Sequence, residues 1–394
     1  MIKREDYYDN KTWEDFLNFS RHLPSPHVVI NLDCIISNYQ KTITSFPYAS
    51  IYYAVKACPT IEVLETLKDC GACFDIASIY ELDKVLSLGV TPDKLSFGNT
   101  IKKASDIKYA FSKGVKLFAT DSQEDLDNIA KFAPEAKIYV RIAVETGESA
   151  DWPLSKKFGC DIDQAVVLLK NAQRTNIEPY GISFHVGSQQ HDVKCWNTAI
   201  SKTKKVFDAV AKEGITLKMI NLGGGFPAQY IEKISGLSNY STCIRHYLAQ
   251  AFGEKNMPKV MLEPGRSLVA NAGILVSEIV MITRKRSSDM HRWVYIDAGK
   301  FNGLIETMDE TTKYPIVTER PQIETEHVES VILAGPTCDS YDTLYEKNKY
   351  KLPLSLLPGE RLYWLSAGAY SLSYASVEFN GFPPIKAYFF KGSQ

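Results

Sequence analysis

Eight short apolar segments, each closing on polar residues or glycine and each followed by an amphipathic stretch, constrain this chain more than any other feature. They are SIYYAVKA from Ser50, CFDIAS from Cys73, LSFGN from Leu95, LFATDS from Leu117, KIYVRIAV from Lys137, GISFHVGS from Gly181, MINLGGGFP from Met219 and VMLEPGR from Val260. The first four begin about 22 residues apart, the length of one strand, a short loop and a helix of about three turns. The intervening stretches carry helical periodicity. Ile79, Leu82, Val85 and Leu86 share one face, and Ser122 with Asp125 has the spacing of a capping box ahead of Leu126, Ile129, Ala130 and Ala133. Strand and helix in alternation predict a parallel sheet, and eight such units predict an α/β fold of the (β/α)8 barrel type.

In that architecture chemistry gathers at the carboxyl ends of the strands. Those ends here carry Lys56, Asp75, Asn99, Asp121, Arg141, His185, the run Gly223, Gly224, Gly225, and Glu263 with Arg266. After about residue 271 the texture changes to β-prone runs without helical partners, such as ILVSEIVMITRKR, VESVILAGPTC and ERLYWLSAGAY. We therefore expect a barrel over residues 32–271 and a separate β domain over 272–394. Residues 1–31, with strand-like HVVINL, are expected to join the β domain.

Bulk properties exclude several classes. A chain of 394 residues exceeds one ordinary core, and 45 basic against 46 acidic residues, without a large block of either sign, advertise neither a nucleic-acid arm nor a membrane patch. A small-molecule partner is expected. The charged start and the lack of about 18 consecutive apolar residues predict a cytoplasmic protein without a signal peptide. Eight scattered cysteines do not form a secreted disulfide framework, and Cys70 with Cys73 makes only half a zinc site, so no metal is expected.

The rim residues point to one chemistry only when read together. Lys56 follows an apolar strand that would strip water from its ammonium and free the amine for imine formation; on position alone it reads equally as a lysine snorkelling from the barrel end. Glycines after the seventh strand let backbone N–H groups approach a phosphate, and Arg266 offers a fork of donors matched to one. Glu263 could hold a pyridine nitrogen protonated, and the flat ring of His185 could stack on a pyridine face.

The motifs YAVKA around Lys56, FDIAS around Asp75, SFHVGSQ around His185, GGGFP at Gly223, EPGR at Glu263, GPTCD ending at Asp339 and GAYS around Tyr370 resemble the ornithine/diaminopimelate/arginine decarboxylase family. Its members depend on pyridoxal 5'-phosphate (PLP) and share a barrel of the alanine-racemase type. The likeness runs in order over nearly the whole chain and is nearest to the barrel-type ornithine decarboxylases of bacteria. It implies that Lys56 holds PLP as a Schiff base, that His185 stacks on its ring, that Glu263 pairs with the ring nitrogen, and that Asp75 and Arg141 lie in the same shell. Phosphate contacts fall by resemblance to Ser188, Gly223, Gly224, Gly225, Gly265, Arg266 and Tyr370. Cys338 is implied as the proton donor after CO2 leaves and Asp339 as the holder of the distal ammonium, both reaching into the partner subunit of a homodimer.

The resemblance implies decarboxylation of L-ornithine to putrescine in polyamine biosynthesis. Aspartate after Cys338 favours a diamine-forming enzyme over diaminopimelate decarboxylase, and the stretch FNGLIETMDE makes Asp309 a second candidate for the distal ammonium. Lysine is one methylene longer, a difference worth only about 1–3 kcal/mol, so dual activity yielding cadaverine as well stays open. A non-catalytic regulatory homologue and a barrel racemase are the competing readings. Cys58 departs from the asparagine more usual in the family, and its thiol is expected to make the site sensitive to oxidation.

Overall fold

The computed structural model describes residues 2–145, 150–152, 157–319 and 327–392. Eight parallel strands close into a barrel: β1 (Ala49–Ala54), β2 (Cys73–Ile76), β3 (Leu95–Phe97), β4 (Leu117–Thr120), β5 (Lys137–Arg141), β6 (Glu178–Ser183), β7 (Met219–Asn221) and β8 (Lys259–Leu262). The ring closes through β8 on β1, with Leu262 opposite Ile51. The eight apolar segments of the sequence are these strands. They are apolar on successive residues because the barrel interior covers one face and helices the other. Inside, Ala119, Tyr139, Met219 and Met261 pack together, and the Tyr139 hydroxyl meets Ser96 Oγ at 2.8 Å.

The helices start where side chains cap them. Ser78 accepts from Glu81 N at 3.3 Å at the head of Ile79–Ser87, and Glu81 reaches back to Ala77 N at 2.6 Å. Ser122 accepts from Asp125 N at 3.3 Å and opens Gln123–Phe132. Asp125 does not complete the box that its spacing predicts. Its carboxylate instead takes Lys102 Nζ at 2.8 Å in a buried ion pair, because that lysine, also bonded to the carbonyls of Asn99 and Ala119, has no access to water.

The chain divides into two compact units, residues 36–227 with 234–267, and residues 1–35 with 228–233 and 268–394. The second unit is an eight-stranded sheet. His27–Asn31 runs antiparallel to Gly273–Thr283 and parallel to Lys386–Phe390, so both ends of the chain contribute. Ile316–Thr318 and Tyr350–Pro353 are strands too short for their sequence pattern to announce. Trp13 and Phe16 stack at 5.3 Å and pack with Val29, Val276 and Tyr363 in this unit's core.

Candidate active site

The barrel ladder continues past the strand ends, and this fixes the rim. Ala54 N donates to Pro264 O at 3.1 Å, and Glu263 N to Gly223 O at 2.9 Å. Lys56 follows β1 in a single turn between buried Val55 and Ala57 but is itself exposed. The strand thereby anchors the backbone of the lysine at the rim. Its charge is nevertheless felt by Asp75, Glu81 and His185.

Asp75, at the end of β2, is buried, and its Oδ1 has no hydrogen-bond partner among the described residues. Burial, reinforced by the Glu263 carboxylate, pushes it well above the usual carboxylate range, against the charges of Lys56 and Arg141. Its place depends on Gly98, where a Cβ would lie 2.0 Å from Asp75 Oδ1. Arg141 closes β5 with its guanidinium 4.8 Å from the Phe158 ring centre, and the carboxylates of Glu263, Asp121 and Asp75 act on it electrostatically.

His185 follows β6. Its Nδ1 accepts from Gly187 N at 3.0 Å, and burial, with Arg141 and Lys56 adding to it, holds the ring neutral by driving its pKa well below the ordinary value. Ser188 Oγ lies 3.4 Å from both Nε and Nη2 of the nearly buried Arg266. The glycine turn after β7 lies against the backbone of Phe184, Gly187 and Glu263. Gly223 has a φ of 66°, and a Cβ there would sit 2.4 Å from Phe184 O, so the turn can follow the strand ends this closely only as glycine.

Asn221, the last residue of β7, was not singled out by sequence reasoning. Fully buried, it donates from Nδ2 to Glu263 Oε1 and accepts Gly223 N at 2.9 Å. Its only sequence signal is an amide two residues ahead of a glycine run. Cys58, in contrast, is a fully buried thiol pushed up to about 11 by burial, and its sulphur contacts Thr60 Oγ1 at 3.8 Å. That environment opposes the oxidation sensitivity expected of it.

The remaining candidates belong to the β unit. Cys338 and Asp339 are exposed on a turn whose backbone is held from within. Asp342, three residues on, is buried and accepts from Lys300 N at 2.7 Å, Thr337 N at 3.1 Å and Thr337 Oγ1 at 2.8 Å. Cys338 N donates to Asn380 Oδ1 at 2.9 Å, and Asp339 Oδ1 accepts Tyr341 N at 2.8 Å. Asp309 is exposed with a φ of 52°, followed by Glu310 at 58°; Glu310 accepts both Lys347 N and Asn348 N at 2.6 Å and so holds that strained pair in place. Tyr370 also has positive φ, 64°, and packs on Tyr374.

The family described as "Pyridoxal-dependent decarboxylase, pyridoxal binding domain" matches residues 32–270, and the chain belongs to it. It is thus a PLP-dependent decarboxylase. A probable ornithine decarboxylase of Dictyostelium discoideum is 32% identical over 374 residues, covering 92% of this chain and 78% of that protein. The arginine decarboxylase of Paramecium bursaria Chlorella virus, solved with agmatine, superposes with a TM-score of 0.87 at 27% identity over 97% of this chain and all of that one. A lysine/ornithine decarboxylase of Vibrio vulnificus, solved with putrescine, gives 0.85 at 27% identity over 99% of each chain.

The barrel rim fits the cofactor of that family. It presents an unpartnered buried carboxylate oxygen at Asp75, a glycine turn with no side chain to fill it, and a buried arginine fork beside a serine hydroxyl. Phosphate and a protonated heterocycle call for those groups. Among the described residues no cluster of His, Cys, Asp or Glu could hold a metal, all eight cysteines are free thiols, and no helix is long and apolar enough to cross a membrane.

Proposed function

We propose that this enzyme decarboxylates L-ornithine to putrescine and CO2 in polyamine biosynthesis, acting as a cytoplasmic homodimer whose two subunits share their active sites. The observation that carries the substrate reading is the exposed pair Cys338 and Asp339 on a turn pinned by buried Asp342. A thiol and a carboxylate held rigidly toward solvent suit groups that serve a ligand rather than a core.

In this reading Lys56 would hold the cofactor through Nζ, the neutral imidazole of His185 would face its ring, and Glu263 would pair with the ring nitrogen. Asp75 and Arg141 complete that shell, while Ser188, Gly223, Gly224, Gly225, Gly265, Arg266 and Tyr370 take the phosphate. When bound, PLP supplies the electron sink for the pair left on the α-carbon as CO2 departs. The Cys338 thiol gives its proton to that carbon, and general acid catalysis of this kind contributes about 10²–10⁴-fold. Asp339 and Asp309 hold the distal ammonium of the substrate.

Dual action on ornithine and lysine, with cadaverine as a second product, is favoured by the likeness to the Vibrio vulnificus lysine/ornithine enzyme. The arginine decarboxylase is just as similar in fold, so substrate choice lies in side chains and not in the backbone. The test is CO2 release from ornithine, lysine, arginine and diaminopimelate, with turnover on the first two compared side by side. Ornithine is expected to lead; no CO2 from any of the four would refute the reading, and equal turnover on ornithine and lysine would establish the dual one.

A further inference from the structure

The link between Glu263 and the glycine turn runs through one side chain. Asn221 has no solvent access, so both ends of its amide must be satisfied inside the protein. Gly223 N–H is a donor and can meet only the amide oxygen, which it does at 2.9 Å. That choice fixes the amide orientation: Nδ2 faces Glu263, and Glu263 Oε1 is necessarily an acceptor. Glu263 is held a second time through its backbone, its N–H donating to Gly223 O at 2.9 Å. One of its carboxylate oxygens is thereby committed to the fold.

We infer that Asn221 is the positioning residue that aims Glu263 at the cofactor's ring nitrogen and locks that aim to the phosphate-facing glycine turn. The inference rests on the proposed pairing of Glu263 with the ring nitrogen. It makes the two halves of the cofactor site a single mechanical unit, with an amide as the joint. An amide suits this place because the groups facing Glu263 include a second carboxylate, Asp75, together with Arg141 and Tyr139, while His185 Nε2 lies 3.4 Å from where a Cβ on Gly224 would stand. A neutral donor adds no further charge to the cluster.

Asn221→Asp separates the two arms of the joint. Aspartate keeps the oxygen that receives Gly223 N–H but replaces the donor facing Glu263 with an acceptor. The experiment titrates the full chain, freed of cofactor, with PLP and with an analogue carrying carbon in place of the ring nitrogen. Binding is read by absorbance, and folding by circular dichroism. For Asn221→Asp we expect PLP affinity to fall by about tenfold or more, the loss of one hydrogen bond to a charged group. The analogue should change by less than about twofold, since it has no nitrogen to pair. Asn221→Ala should weaken both ligands, because the turn loses its acceptor as well.

Unchanged PLP affinity in Asn221→Asp would overturn the inference, and so would equal losses for both ligands, which a purely structural role would give. Glu263→Ala separates the two levels of the argument. If it weakens PLP and the analogue equally, the ring-nitrogen pairing is wrong. If it weakens PLP alone while Asn221→Asp does not, only the role of Asn221 is wrong.

Discussion

The barrel rim and the Cys338 turn solve the same problem in opposite ways. On the rim the groups proposed to face the cofactor are tied to one another: Asn221 bonds Glu263 and the glycine turn, Gly187 N–H bonds the His185 ring, and Ser188 meets Arg266. On the turn holding and display fall to different residues. Asp342 and Glu310, one buried and one saturated with backbone N–H groups, do the holding, and Cys338, Asp339 and Asp309 are displayed to solvent. A rim of the first kind is pre-organised for its cofactor before anything binds. A turn of the second kind is held from within and displays its reactive groups to solvent.

That contrast can be broken most forcefully by removing the reactive groups. Lys56→Ala should lower decarboxylation by ~10³-fold or more, since the proposed covalent hold on the cofactor would be lost. Cys338→Ala should lower it by ~10²-fold while leaving cofactor affinity unchanged. Mixing the two inactive variants under subunit-exchange conditions should restore about a quarter of the wild-type rate, because half the dimers are hybrids with one intact site. No recovery would show that each subunit completes its own site.

A smaller effect probes the rim's interlocking. Gly98→Ala would set a methyl group against buried Asp75, and we expect a loss of up to about 3 kcal/mol in urea unfolding of the barrel together with weaker cofactor retention. A variant as stable as wild type would mean that Asp75 can move, and that the rim is less fixed than it looks.

Proton linkage adds a third test, in the β unit. His27 is buried against Ser20 Oγ at 3.0 Å and the Pro24 carbonyl at 2.9 Å, and burial lowers it from 6.5 to about 4. The unfolded chain therefore binds the extra proton first, so stability is full above the unfolded value of 6.5 and falls as pH drops toward 4. Between pH 7.5 and 5 the loss should be about 2 kcal/mol, and His27→Gln should flatten that slope in urea melts. A slope that survives the substitution would place the titrating group elsewhere.

The smallest expected effect is none at all. Cys58→Asn should be inactivated by peroxide as fast as wild type, because the native thiol is buried and almost entirely protonated. Protection by that substitution would restore Cys58 as the sensitive thiol; protection by Cys338→Ser, in residual binding assays, would assign the sensitivity to the exposed turn.

Most of the barrel could be read from the sequence because its signals are local. A buried parallel strand must be apolar on successive residues, a helix must cover its neighbour with a 3.6-residue period, and the polar residues left over fall at the strand ends. Lys56, Asp75, Arg141, His185 and Glu263 were visible for that reason. Ser122 was visible as a cap, but Asp125 was not visible as a partner of Lys102, since nothing in its spacing announces a lysine 23 residues earlier in the chain.

By itself, then, the sequence determined the alternation of strand and helix, the residues at the rim and the order of the family's motifs. Only the tertiary structure decided that Lys56 stays exposed while Asp75 is buried, and that Cys58 is sealed while Cys338 is open. It also decided the hydrogen bonds of Asn221 and Asp342 and the close approach at Gly98, although no motif marked them. The reason is physical. Strand and helix patterns arise between residues a few positions apart, whereas burial, orphaned polar atoms and charge coupling are set by groups that meet only when the barrel closes.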